Sequence, residues 1–145
     1  MITRLFAAIS VFQFVSTAAG LPTIGEVQSV AVRGKLICQT LPAANVTIKL
    51  WDNDRFDIDD LMATTTSEED GRFEVAGKET EVTAIDPKVN IYHRCGDPKM
   101  ICVRKLTIFI PDEWISRGSI PKKTFDLGVL VLDAVFAGEV TDCIH

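Results

Sequence analysis

The stretch from Ile85 to Ile110, IDPKVNIYHRCGDPKMICVRKLTIFI, constrains this chain most, because two runs of alternating apolar residues flank one short loop that two cysteines bracket. In the first run Val89, Ile91 and His93 point one way and Asn90, Tyr92 and Arg94 the other, the period of two that marks a half-buried strand. The second run puts Leu106, Ile108 and Ile110 on one face, with Arg104 on that side near the loop. Between them Gly96 tolerates positive φ, Asp97 bonds its own backbone and Pro98 presets φ. The stretch reads as a β-hairpin closed by a bond between Cys95 and Cys102.

Four cysteines, Cys38, Cys95, Cys102 and Cys143, allow three connectivities. A Cys95 to Cys102 bond across the hairpin leaves Cys38 with Cys143, which would tie the first strand to the C-terminal tail and, closing the longer loop, matter more for stability. An oxidising compartment favours such pairing, and the N-terminus points to one. Residues 1–20 carry one charge at Arg4, an apolar core from Leu5 to Val15 and then small residues, the layout of a cleaved secretory signal. That core is about half the roughly 20 residues a membrane span needs, and no later apolar run approaches that length. Residues 21–145 then form one soluble, extracellular domain with 14 basic and 20 acidic side chains. A zinc site on His93 and Cys95 lacks a second short ligand spacing, so no metal or other cofactor is expected.

Upstream of the hairpin, Val30, Val32, Gly34, Leu36 and Cys38 share one strand face, and Val46, Ile48 and Leu50 another, leaving Asn45, Thr47, Lys49 and Trp51 outward. Asn45-Val46-Thr47 is an N-glycosylation acceptor. The Asp70-Gly71 pair between residues 63–67 and 72–75 signals a hairpin. Phe125 to Leu132 is nearly continuously apolar and reads as a central strand, and the segment from Pro111 to Lys123 has room for one helical turn and a loop. About seven short strands without a long helical period argue for an antiparallel β-sandwich, an all-β fold crosslinked by disulfides.

Charge is unevenly spread. From Lys49 to Asp86 there are 12 acids and 4 bases; from Lys88 to Lys123 there are 8 bases and 3 acids. The acidic part includes Asp52, Asp54, Asp57, Asp59 and Asp60, five carboxylates just past a strand and the one weak calcium candidate in the chain. An EF-hand loop fails there, since the sixth position would be Asp57 where Gly is needed and the twelfth Ala63 where a bidentate Glu is needed. The simpler reading is a solvated turn. Arg94, Lys99, Arg104, Lys105, Arg117, Lys122 and Lys123 are candidates for an anion-facing patch if folding gathers them, each base near an anionic membrane contributing about 1 kcal/mol. With its net negative charge the chain is not expected to bind nucleic acid.

VRGKLIC, a proline turn, VTIKLWDND, DDLMA, DGRFEVAG, IDPKVNIYHRCGD, a cysteine before KLTIFIP, DLGVL and a terminal FAGEVTDCIH, in that order behind a secretory leader, resemble the nematode transthyretin-like family over nearly the whole mature chain. The resemblance implies a transthyretin-type sandwich, secretion and disulfide crosslinks. Arg94 departs from the acidic residue expected between that His and Cys.

Transthyretin-fold hydrolases of the urate pathway end in Tyr, Arg, Gly, Ser and use paired histidines. This chain ends in Asp142-Cys143-Ile144-His145 and has only His93 and His145, so no enzyme is expected and His93 reads as structural. Trp51 and Trp114 read as packing residues. The resemblance implies a secreted binding, bridging or signalling protein that recognises an anionic phospholipid such as phosphatidylserine together with a cell-surface receptor. The alternative is carriage of a small apolar ligand, as in transthyretin, for which fold analogy is the only warrant.

Overall fold

The computed structural model describes residues 24–144; the leader expected over residues 1–20 and His145 lie outside the described residues. Two sheets pack face to face. In the first, β1 (Glu26–Cys38) is central. On one side it pairs with β5 (Arg72–Glu81) and the short β2 (Leu41–Pro42), and on the other with β8 (Ser116–Arg117) and β9 (Thr124–Val131). The second sheet runs β10 (Val140–Asp142), β7 (Val103–Phe109), β6 (Pro87–His93), β3 (Thr47–Asp52), β4 (Asp60–Thr66). Every pair is antiparallel except β1 with β9. A 3-10 turn, Asp112–Trp114, lies on the way from β7 to β8, in the segment where one helical turn was expected.

The sandwich closes because alternation puts one apolar face of each sheet against the other. Val30, Val32 and Leu36 of β1 with Phe73 and Val75 of β5 meet Ile48 and Leu50 of β3, Val89 and Ile91 of β6, and Leu106 of β7. The expected hairpin is β6 with β7, in a register that sets Ile91 against Leu106 and His93 against Arg104.

Its expected closure is not found. Cys38 bonds Cys95 (Cα to Cα 5.7 Å) and Cys102 bonds Cys143 (4.3 Å). The β6–β7 ladder ends at His93 and Arg104, before Cys95 reaches Cys102. Cys95 continues the inward side of β6 into the core cluster, against which Cys38 at the end of β1 packs, so this bond staples sheet to sheet. Asp142 pairs with Val103, which puts Cys143 opposite Cys102 at the next position. The loops closed, 57 and 41 residues, are comparable, so neither bond is the dominant one on loop length.

Two other expectations change. The Asp70-Gly71 turn forms, with Gly71 N donating to Glu68 O at 2.9 Å, but the strands it joins, β4 and β5, lie in different sheets. It is a corner of the sandwich. Gly71 has φ +81°, and a Cβ there would stand 2.3 Å from the Leu36 carbonyl oxygen. The apolar run 125–132 is not central: among the described residues β9 pairs only with β1 and leaves its other edge open. Its apolar density comes from a bulge. The register shifts between Arg33 and Lys35, opposite Gly128 at φ +71°, so Phe125 and Leu127 face inward before it and Leu130 after it, while Val129 is 57% exposed. Two inward phases joined by one step look like a buried strand.

Candidate functional site

At the end of the sandwich where β1 begins, Gln28 pairs with Arg117 and Ser29 with Ser116, which seats β8 on the first sheet. Gly118 N donates to Val27 O at 2.7 Å. Ser116 is buried, and its Oγ accepts from Lys122 N at 2.9 Å, closing the chain from 116 to 122 into a compact loop. Thr124 then falls beside Ala31. This closure brings the backbone of Lys122 beside Ser116 and so draws the exposed Arg117, Lys122 and Lys123 into one neighbourhood. Lys123 Nζ lies 5.0 Å from the centre of the Trp114 ring, which packs on Phe125 at 5.2 Å. Arg117 Nε stands 3.8 Å from a Glu26 carboxylate, both well exposed, a pairing of little strength.

The other four candidate bases lie elsewhere. Arg94 and Lys99 sit in the loop between β6 and β7, at the end where β1 finishes; Arg94 Nε donates to Met100 O at 2.8 Å. From Gln28 to the Cys38–Cys95 bond is about 30 Å along β1. Arg104 is committed to structure. It forms a two-pronged ion pair with the buried Glu139, and its Nη1 and Nη2 donate to Leu132 O at 3.1 Å and Ala134 O at 2.9 Å. Lys105 pairs with Asp142 at 3.7 Å. The seven bases therefore divide into one flank of three, two at the far end and two held in ion pairs.

Lys88 ties part of the acidic stretch to β6, while Asp57 and Asp60 stay exposed. Its Nζ lies 2.5 Å from Asp59 Oδ2 and 2.6 Å from Asn53 Oδ1, and Asn53 Nδ2 donates to Asp86 Oδ2 at 3.0 Å. Asp52 is buried in β3; its Oδ1 accepts from Asp86 N at 2.7 Å, and burial pushes its carboxyl above the ordinary 3.8. Asp54 N donates to Asp59 Oδ1 and Ile58 N to Asp57 Oδ1, while Asp60 opens β4 opposite Asp52. An open cavity of about 420 Å³ nearby is lined by Asp52, Asp54, Glu81, Asp86 and Asp112. Among the described residues the grouping with ligand-type atoms within 4.8 Å of one another is Cys38, Cys95 and Asp133, and its two sulfurs are bonded to each other.

His93 is buried, and its Nδ1 accepts from Cys95 N at 3.1 Å. Burial, then the Arg104 charge, hold its pKa below 6.5, so it stays neutral at physiological pH. Asn45, exposed at φ +56°, precedes β3 and anchors through its N–H on Ser67 O at 2.9 Å, leaving its side chain at the surface. The larger cavity, about 590 Å³, opens on the first sheet among Arg33, Arg72, Phe73, Glu74, Asp126 and Val129, a lining that mixes charged and apolar side chains. The Arg104–Glu139 clasp had no sequence signal beyond Arg104 lying on an otherwise apolar strand face. No helix among the described residues is long and apolar enough to cross a membrane.

The chain matches the profile of the transthyretin-like family, TTR-52, over residues 33–111. It is 50% identical over 129 residues to transthyretin-like protein 5 of Caenorhabditis elegans, covering 88% of this chain and 93% of that one. With transthyretin-like protein 46 of the same organism it shares 43% identity over 122 residues, 83% of this chain and 68% of the other. A solved 9R-lipoxygenase from Cyanothece aligns with 81% of this chain and 18% of its own, at a TM-score of 0.40 and 18% identity, a likeness too loose to carry an argument.

Proposed function

From the premise that this chain belongs to the transthyretin-like family, we propose that it acts outside the cell as a non-catalytic recognition module, released after loss of residues 1–20. Its flank of Arg117, Lys122 and Lys123 meets an anionic phospholipid surface, phosphatidylserine in particular, and another face meets a cell-surface receptor. The observation that carries this reading is the Ser116 to Lys122 closure, which gathers three exposed bases that sequence leaves strung along a loop. Juxtaposed exposed bases attract anionic bilayers, and salt screens the attraction. Secretion is supported by two disulfides and a signal-like leader.

The test is binding of the oxidised protein to vesicles with and without phosphatidylserine, at two salt concentrations and with or without calcium. Selective binding that weakens with salt and with Lys122→Glu and Lys123→Glu together is the expected result. Binding unchanged by the charge reversals removes the flank as the contact, and dependence on calcium moves attention to Asp52–Asp60.

A further inference from the structure

Resting on that reading, we infer that Ile120 is the apolar anchor of the basic flank: the closed loop docks on an anionic bilayer and places Ile120 at the boundary between headgroups and acyl chains. A single exposed apolar side chain is ordinary on a protein surface. Ile120 differs in its setting. It is 77% exposed at the tip of a loop whose base is tied by Lys122 N to Ser116 Oγ and by Gly118 N to Val27 O. Pro121 follows it and restricts it to extended backbone. The tip is preorganised, so insertion orders little new chain.

Charge favours this tip over the one at Phe56 and Ile58. Phe56 and Ile58 are also exposed, but they stand among Asp54, Asp57, Asp59 and Asp60, which an anionic surface repels. Ile120 has Arg117 before it and Lys122 and Lys123 after it in the chain, and Glu26 makes only a loose contact with Arg117. Of the two exposed acids on the 3-10 turn, Asp112 lines the acidic cavity and Glu113 adjoins Trp114, leaving the three bases with a small local excess of positive charge. Trp114, half-buried on Phe125 and the core, lies beneath Lys123 and fixes the base of this loop to the sandwich. Long-range attraction then comes from the three bases and the short-range hold from one buried isoleucine.

The experiment compares the oxidised protein with Ile120→Ser, with the Lys122→Glu and Lys123→Glu pair, and with Ile101→Ser, an exposed isoleucine at the far end, on phosphatidylserine vesicles at low and high salt. Ile120→Ser should weaken partitioning roughly tenfold at both salt concentrations, as loss of most of one buried side chain requires. The charge-pair effect should shrink at high salt, and Ile101→Ser should bind as wild type. Ile120→Trp should bind at least as well, with emission shifting to the blue and quenched by acyl-brominated lipid. Wild-type affinity of Ile120→Ser beside a weakened charge pair overturns the anchor and leaves the electrostatic reading standing. Failure of the wild-type protein to bind overturns both. Loss of an acidic receptor but not of vesicles in Ile120→Ser assigns the loop to a protein partner and overturns the anchor. Unchanged thermal midpoints in the variants exclude misfolding as the cause.

Discussion

Cys102 stands opposite Cys143, one step past the Val103–Asp142 pair, so the bond between them adds a covalent rung to the β7–β10 ladder. Trypsin cuts after Arg94, Lys99 and Arg104, which separates Cys95 from Cys102. A non-reducing peptide map should therefore join the 95–99 peptide to the one bearing Cys38, and the 100–104 peptide to the one bearing Cys143. Replacing either pair by serine should cost up to about 4 kcal/mol in denaturant unfolding, with the two losses similar in size.

Gly71→Ala should be among the most damaging single-methyl changes in the protein. The position needs φ +81°, and the new Cβ would overlap the oxygen of Leu36, whose own N–H donates to Gly71 O. We expect a loss of about 3 kcal/mol, read as a thermal midpoint lower by roughly 10 °C.

Arg104→Ala removes donors from Glu139, Leu132 and Ala134 at once and leaves a carboxylate buried. A loss of about 3 to 5 kcal/mol is expected, and Arg104→Ala with Glu139→Gln should be less unstable than the single change predicts. A double-mutant cycle in urea measures this coupling. Equal additivity would show that the clasp is not a unit.

Two buried groups give stability opposite slopes with pH. The His93 pKa lies below 6.5 in the folded state, so as pH falls through 6.5 the unfolded chain takes up the proton first and stability declines toward the folded value. The Asp52 pKa lies above 3.8, so the folded state holds its proton longer and stability declines as pH rises from 3.8 through the folded value. Urea midpoints against pH should show His93→Gln flattening the first slope and Asp52→Asn the second. Asp52→Asn, whose side-chain oxygen can still accept from Asp86 N, should also be the more stable protein at neutral pH.

Asn45 should carry a glycan when the chain passes through a eukaryotic secretory pathway, since its side chain is exposed just before β3. The mass should fall on treatment with an amide-cleaving glycosidase and should match the bare chain in Asn45→Gln.

The inward faces of β3 and β6 were legible because each strand keeps one phase: Ile48 with Leu50, Val89 with Ile91. The closure of the hairpin was not, because Cys102 has two possible opposite numbers. Extending the His93–Arg104 register leads to Cys95, and extending the Asp142–Val103 register leads to Cys143; only where each ladder stops decides between them. The run from Phe125 to Leu132 misled for a local reason, the half-turn of phase at Gly128. Asp70-Gly71 announced a turn but not which sheet each arm joins. The seven bases are close in sequence yet fall at opposite ends, because β7 carries the chain the length of the sandwich between Arg104 and Arg117.

β1 runs from Glu26 to Cys38, thirteen residues or about 40 Å of extended chain. The loop bearing Ile120 hangs from its first turns through the Gln28–Arg117 pair, and the Cys38–Cys95 bond marks its last. A bilayer held at the first end would lie about one strand length from any partner engaged at the second, the distance fixed by β1 alone.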